Sequence, residues 1–560
     1  MLKIMNKIFN KLALIALAVF TLTACVGDLN VEPKDPNVVM TFEQDAVFTK
    51  IYATFGTTGQ QGAAGNGDVD GIDEGISSFY RMTWSLQEFP ADGCWWNYNE
   101  NGYFDIMKTK WNGNNESVRG LYYRLYFDIT LCNHFLDRTT GLDDEKTLQQ
   151  RAEVRLIRAI NYYYLLDMYG NVPFAETVSL ENPKLILRAD LYDWLENELM
   201  ELVGLLPETK ISYYRMDKVA AEFMLMRLYL NAEVYTGTAQ WDKAAEYAAK
   251  VMNSKYELNT EVNPNEKDLH GKPFTAYQRL FMANNDQNGA QKEAIFAVAQ
   301  DGQLTQCWGG SVFLVAAPRD AGYNNWGISA SWTCLRATPE LVWKFFPNVP
   351  LNYTAVDPSY AGDEYELPTL AGDDRAILCN QVKDSTGAVS KEWEFTGKQT
   401  GDPYANWAVL KWTALHSDGK VSSSPDFPDT DIILFRAAEA WLSYAEAVFR
   451  GGKAVNGSAE DAIKALRARA NNTQAFTLSE SFLLDEWARE FYYEGRRRTD
   501  LVRFGKFVGP TADYQWEGRG DLESGKAAKQ IDAKYNVYPV PESDIVANPN
   551  LAEYRSLITY

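Results

Sequence analysis

Apolar positions recur at steps of three and four over two long stretches of the chain, and the remainder lacks that rhythm. Ile157, Ile160, Tyr164 and Met168 form one such stripe, halted by Gly170 with Pro173 beyond. This spacing lines one face of a helix. Ala221, Leu225, Leu228 and Ala232 repeat it, and Ala244, Ala245, Ala248 and Val251 follow a short turn at Trp241-Asp242. Successive helices with alanine on their contact faces predict antiparallel pairs of tetratricopeptide type over about 117–255, although the full repeat consensus is absent. From about 256 to 428 Asn, Gly, Pro and Asp break the pattern, and runs such as Glu293 to Val298 predict short strands. Helices resume at about 430. Asp431 to Arg450 carries a Leu434, Ala437/Ala438, Trp441, Ala445 and Val448 face that Gly451-Gly452 ends. Ser458 with Asp461, and Thr477 with Glu480, predict capping boxes for two more helices. On the last of these Glu490 and Glu494 fall four apart, a solvated like-charge repulsion unless Arg497 or Arg498 neutralises it.

The expected fold is therefore mostly α. Tetratricopeptide-like helix pairs, at about 117–255 and 430–505, form a scaffold around a loop-rich insert at about 256–428 that carries short strands. One body over residues 25–560 accounts for this better than separable domains.

The N-terminus follows a different rule. Lys3, Lys7 and Lys11 precede a short apolar run, Leu12 to Leu22, which ends in Leu22-Thr23-Ala24-Cys25. The run is too short to span a bilayer and reads as a secretory signal over residues 1–24. Small residues followed by Cys form a bacterial lipobox, so Cys25 is expected to open the mature protein and carry its lipid. Several acyl chains would anchor it durably, at ~0.8 kcal/mol per buried CH₂. Residues 26–45, polar and containing Pro33 and Pro36, suit a leash between lipid and body.

Charge narrows the partners. The chain holds 54 Lys+Arg and 75 Asp+Glu, and loss of the three signal lysines leaves 51 bases, a net −24. That disfavours nucleic acid. Three scattered histidines (His134, His270, His416) make no metal motif. The five cysteines after Cys25 are irregularly spaced, which argues against a disulfide framework. No GxSxG, phosphate-cradling glycine turn or Cys/His signal points to catalysis.

The 75 aromatic residues (16 Trp, 32 Tyr, 27 Phe) are the departure from an ordinary composition, and part of that excess is expected at the surface. Cys94-Trp95-Trp96-Asn97-Tyr98-Asn99-Glu100-Asn101 sets three rings among three asparagines. An extended backbone there would point Trp96 and Tyr98 to one face and Trp95 to the other. Pyranose rings offer C–H faces to aromatic rings and a rim of hydroxyls to amides and guanidinium groups. Trp308, Trp326 and Trp332 add rings within the insert.

Several segments together resemble the SusD/RagB family of Bacteroidetes surface glycan-binding lipoproteins. They are the lipobox, the Asp28-Leu29-Asn30-Val31-Glu32-Pro33 leash, the Arg151-to-Arg155 helix start and the Trp487-to-Arg498 block. Tyr538-Pro539-Val540-Pro541 and Asn548-Pro549-Asn550-Leu551 complete the set. The Asp70-to-Gly75, Phe79-Tyr80-Arg81 and Asp429-Thr430-Asp431 segments are similar to the family's starch-binding pattern. The resemblance implies an arc of Tyr98, Trp308 and Trp332, with Trp96 beside it, cupping α-1,4-glucan, and Arg81 and Asn101 bonding sugar hydroxyls. Tyr98 stands where that pattern has Trp and Trp308 where it has Tyr; both keep a flat ring. It further implies a surface-facing lipid anchor in the outer membrane, no catalysis and a SusC-like TonB-dependent outer-membrane transporter as partner. No cofactor is required, although some members hold structural calcium, for which Asp286, Asp429 and Asp431 are candidates. A binding protein for another glycan, a surface glycoside hydrolase and a protein-binding helical scaffold are the alternatives.

Overall fold

The computed structural model describes residues 41–320, 322–402, 404–509, 523, 531–552 and 554–558. Cys25, the signal segment and the leash up to residue 40 lie outside the described residues. The chain divides into a small unit, Met1–Val47, and a main body, Phe48–Tyr560.

The principal helices of the main body run in order α1 (Phe79–Glu88), α2 (Glu116–Arg138), α3 (Glu145–Met168), α4 (Arg188–Leu205), α5 (Lys218–Leu230) and α6 (Trp241–Met252), then the short α7 (Ser311–Ala316) in the insert. They continue as α8 (Ala438–Phe449), α9 (Ala459–Arg469), α10 (Glu480–Phe491) and α11 (Arg497–Arg503). The fold is mostly helical, as the periodicity predicts. Each of α2 to α6 packs on its sequence neighbour, and α6 then packs on α8, which packs on α9. The array thus runs on across the insert as though residues 253–437 were absent. Local chemistry sets the ends. Asn115 caps α2 and Asp144 caps α3 through their side-chain oxygens. Gly170, at φ +78°, lets the chain leave α3, its N–H bonding the Leu165 carbonyl at 3.0 Å.

Four of the short strands position the site and the insert: β1 (Cys94–Trp96), β2 (Ala294–Val298), β3 (Leu335–Ala337) and β4 (Ile432–Arg436). β4 pairs antiparallel with β2, Ile432 opposite Val298, and this ladder ties the two ends of the insert together. The sequence pattern places β4 inside a helix, and the structure corrects it. Ile432-Ile433-Leu434-Phe435 is a continuous apolar run, and a buried strand and a buried helix turn look alike in such a run. Other boundaries move for smaller reasons. Ser479, rather than Thr477, caps α10 by accepting the Phe482 N–H, while the Ser458–Asp461 capping box forms as expected. Arg151 to Arg155 lies within α3 rather than at its start, and Trp241 opens α6.

Glu490 and Glu494 are not solvated. Glu490 is fully buried and Glu494 nearly so, and their charges are met by Arg436, Arg469, Arg375 and Lys411 instead of Arg497 or Arg498. Arg436 alone reaches Glu293 (2.8 Å), Glu490 (2.7 Å) and Glu494 (2.7 Å). Burial pushes the Glu490 carboxyl up, but Arg469, Arg436 and Arg375 outweigh it and hold it far below the usual range. Cys94, Cys132, Cys307, Cys334 and Cys379 are buried free thiols. Most of the aromatic excess also proves to be core: Trp84, Trp96, Trp111, Trp393, Trp407 and Trp487 are sealed inside. Among the described residues no helix is long and apolar enough to cross a membrane.

Candidate binding site

The β1–β3 ladder decides which rings meet. Cys94 pairs with Ala337, Trp95 with Arg336 and Trp96 with Leu335. Beyond the strand the Asn97 N–H donates to the Cys334 carbonyl at 2.7 Å. The next step sets Tyr98 against Thr333, and their hydroxyls lie 3.1 Å apart. Trp332 is the neighbour of Thr333, so the register carries a phenol and an indole to one edge. Trp308 completes the row: its ring centroid lies 6.1 Å from that of Trp332, the planes inclined at 58°. Tyr98 is 42 % exposed and the two indoles are half-buried, so a bent aromatic surface remains open to solvent.

Several groups hold these rings in place. Phe427 backs Trp308 at 4.7 Å. The Ser78 hydroxyl donates to the Gly309 carbonyl at 2.8 Å and accepts the Arg81 N–H at 3.1 Å, so one side chain both caps α1 and fastens the Trp308 loop. A Cβ at Gly309 would fall 2.5 Å from Ser78 Oγ, and only glycine allows that approach. The Trp332, Thr333 and Cys334 N–H groups donate to the carbonyls of Ala316, Arg319 and Ala317, at and just beyond the end of α7.

Two expected contacts lie beneath the surface rather than on it. Trp96 is 1 % exposed, with its indole N–H on Glu100 at 2.8 Å and its ring against Phe89, Tyr103 and Phe313. The alternation that would pair its direction with Tyr98 fails because β1 is covered on both faces and ends at Trp96. Trp95 and Trp326 are buried as well. Arg81 is buried too: Nη1 donates to the carbonyls of Gly75 (2.8 Å) and Trp308 (3.3 Å), and its guanidinium sits 5.5 Å from the Trp332 ring centroid. It serves as a bracket joining both indoles. Asn101 is half-buried at φ +51°, its carbonyl accepting the Ser117 hydroxyl. Sequence reasoning missed Thr333 and Phe427. Neither position carries a local signal, because their value comes from partners far away in the chain.

The acids proposed for calcium do not converge. Among the described residues, His270, Asp363 and Glu366 bring ligand atoms within 4.8 Å of one another; Asp286, Asp429 and Asp431 do not. His270 and Asp363 already pair at 2.8 Å and Lys383 takes Glu366 at 2.7 Å. Asp429 is a loop clip. Its oxygens accept N–H groups of Gly302 (2.8 Å) and Ser423 (2.7 Å) and the Ser423 hydroxyl. Burial pushes the Asp429 carboxyl up, yet bonds from His416, Ser423 and Gly302 hold it well below the carboxylate range. Asp431 is pushed the other way, by burial and then by Asp286 and Asp429, despite the Gln300 N–H on its Oδ1.

Residues 292–555 match the model of the SusD family, and residues 83–230 match one described as starch-binding and associating with the outer membrane. The chain is 40 % identical over 564 residues to a starch-binding protein SusD of Bacteroides thetaiotaomicron, covering 97 % of each. It is similar in fold to a SusD-like carbohydrate-binding protein of Bacteroides fragilis (TM-score 0.66, 19 % identity, 91 % of this chain and 98 % of that one). It is likewise similar to surface glycan-binding protein A of Bacteroides thetaiotaomicron solved with laminarihexaose (TM-score 0.62, 16 % identity, 92 % and 98 %).

Proposed function

Because the chain belongs to the SusD family, we propose that it is a non-catalytic receptor that captures starch and malto-oligosaccharides at the cell surface. In this reading it is lipid-anchored through Cys25, faces outward from the outer membrane and hands its glycan to a SusC-like TonB-dependent transporter. The carrying observation is the row of Tyr98, Trp332 and Trp308. Three flat faces, the indoles inclined at 58°, suit a curved α-1,4-glucan, whose coil presents successive C–H faces around a bend. A straight β-1,4-glucan touches fewer of them at once. Asn101, close in sequence to Tyr98, is assigned to sugar hydroxyls; Arg81 acts from below by fixing Trp308 and Trp332.

Magnitudes fit a receptor that must release. Each stacked ring adds about 0.5–1.5 kcal/mol beyond area burial. Three rings and a few hydrogen bonds, less the ordering of the glycan, give a dissociation constant of about micromolar to millimolar. The test is native electrophoresis through an amylopectin gel. Retarded wild type with unretarded Trp332→Ala and Tyr98→Ala variants of unchanged circular dichroism supports the site, and equal retardation of all three removes it. Incubation with maltoheptaose should release no new reducing ends; steady release would favour a hydrolase. Retention of no glycan by the wild type would favour a protein-binding scaffold.

A further inference from the structure

Apart from the aromatic row, the body carries a cleft of about 490 Å³, within the size range of small-molecule sites. One wall is α2, where Tyr123, Tyr126, Phe127 and Thr130 recur at the spacing of a helix face and line the opening. In a bundle such a stripe normally packs against another helix. Here Tyr123, Tyr126 and Phe127 are only half-buried, and Thr130 is exposed. The opposite wall brings Pro173, Asn182, Pro183, Asp544, Ala547 and Asn548.

The rings are held by their far ends. Tyr126 Oη donates to the Pro173 carbonyl, Tyr122 Oη to Asp544, and the Tyr123 and Ser543 hydroxyls lie 2.6 Å apart. Such pinned rings meet a ligand at little entropic cost. The charges also discriminate. Among the described residues lining the cleft there is no Lys, Arg or His. Asp68 is paired with Lys50 (2.6 Å) and Arg124 (3.1 Å), while Asp70 stays exposed. A phosphate, sulfate or uronic acid would find no cation in the lining, and the neighbouring Lys50 and Arg124 are already engaged by Asp68. A ligand with apolar ring faces and neutral hydroxyl donors finds aromatic faces, carboxylates and backbone carbonyls.

We propose that this cleft is a second glycan subsite, for a neutral oligosaccharide; it rests on the reading of the protein as a glycan receptor. It connects to the first site through one loop. Asp68 and Asp70 line the cleft, the Asp73 N–H bonds Glu116 at the start of α2 (2.9 Å), and Gly75 abuts Trp308. Tyr123 stands seven residues beyond Glu116, about 10 Å along the helix. Two weak subsites joined in this way raise the retention of a long polymer without tightening either contact.

The experiment is saturation-transfer NMR with maltoheptaose on the wild type, on Tyr98→Ala/Trp332→Ala, and on that variant with Ala547→Arg added. Ala547 is exposed on the cleft rim, so the long side chain fills the cleft without disturbing packing. Tyr123→Ala serves as a second cleft variant. The expected result is saturable binding about tenfold weaker in the Tyr98→Ala/Trp332→Ala protein, abolished by Ala547→Arg or Tyr123→Ala with melting unchanged. Binding by the wild type and none by Tyr98→Ala/Trp332→Ala overturns the second subsite and leaves the first intact. Residual binding that ignores both cleft variants also overturns it, as does a glycan profile unaffected by Ala547→Arg alongside loss of a co-purifying membrane protein. No binding by the wild type removes both sites.

Discussion

Thr333 holds φ at +57°, a backbone region that a β-branched side chain resists. Such a residue costs on the order of 1–3 kcal/mol and persists where its surroundings over-determine it. Its hydroxyl meets Tyr98 and its N–H meets the Arg319 carbonyl, so the strain is borne at the hinge between phenol and indole. Thr333→Gly should therefore leave thermal stability equal or raise it by up to ~2 kcal/mol, because relief outweighs the added chain entropy. Glycan affinity should fall severalfold as Tyr98 loses its tether. A joint melting and titration series reads both. Asp128 gives a second test at this scale. Burial is the largest influence on its carboxyl and pushes it up to about 7, against the Asn161 amide at 2.7 Å. A raised acid contributes most below its unfolded value, near 4, and loses that contribution as pH rises through about 7. Asp128→Asn should thus be neutral or destabilising at pH 4 and stabilising by about 1–3 kcal/mol at pH 8, measured by denaturant melts. Tyr98, Trp308 and Trp332 stood out in the sequence as rings in irregular segments, but their choice as one arc came from the family resemblance and not from their spacing. The burial of Arg81 and Trp96 was not legible, since it depends on Trp308 and Phe313, more than 200 positions further along the chain.

At the scale of elements, the loop ending at Asp429 works on Trp308 through Phe427. Asp429 fastens Gly302 to Ser423, and Phe427 between them backs the indole at 4.7 Å. Asp429→Ala should free this loop, lowering glycan affinity severalfold while far-ultraviolet dichroism stays native. A variant that binds like the wild type would show that Trp308 needs no backing. Gly309→Ala should act in the same direction, since its Cβ must displace Ser78. Periodicity revealed α3, α5 and α6 because each meets its neighbour locally, although only α6 buries a single face while α3 and α5 are buried nearly all round. It failed for β4, where Ile432 to Phe435 is an apolar run whichever way the backbone turns, and for Trp95 and Trp96, because β1 has no solvent face.

For the molecule as a whole, the insert is an excursion that returns to where it began. α6 and α8 pack as neighbours, β2 and β4 close the excursion, and Arg436 at the end of β4 bonds Glu293 just before β2. The buried charges at this clasp weigh more in their loss than in their presence. Arg436→Met should destabilise by about 3–5 kcal/mol by leaving Glu293, Glu490 and Glu494 short of partners. Glu486, held near 2 by Arg375, Arg489 and Arg467 against its burial, has stability to lose only as pH falls from about 4.5 towards 2. The helical scaffold was readable from the sequence, and so was the irregularity of the insert. The clasp was not, because Glu293, Arg436 and Glu490 come from three distant stretches of the chain and nothing local pairs them.

On this reading a bent row of three rings selects a coiled glucan over a straight one. Isothermal titration of the wild type and of Tyr98→Ala/Trp332→Ala with maltoheptaose and with cellohexaose tests it most directly. The expected result is a dissociation constant of about micromolar to millimolar for maltoheptaose, a loss of at least tenfold in the variant, and at most weak binding of cellohexaose. Equal affinity of the wild type for the two sugars, or an unchanged variant, would contradict it.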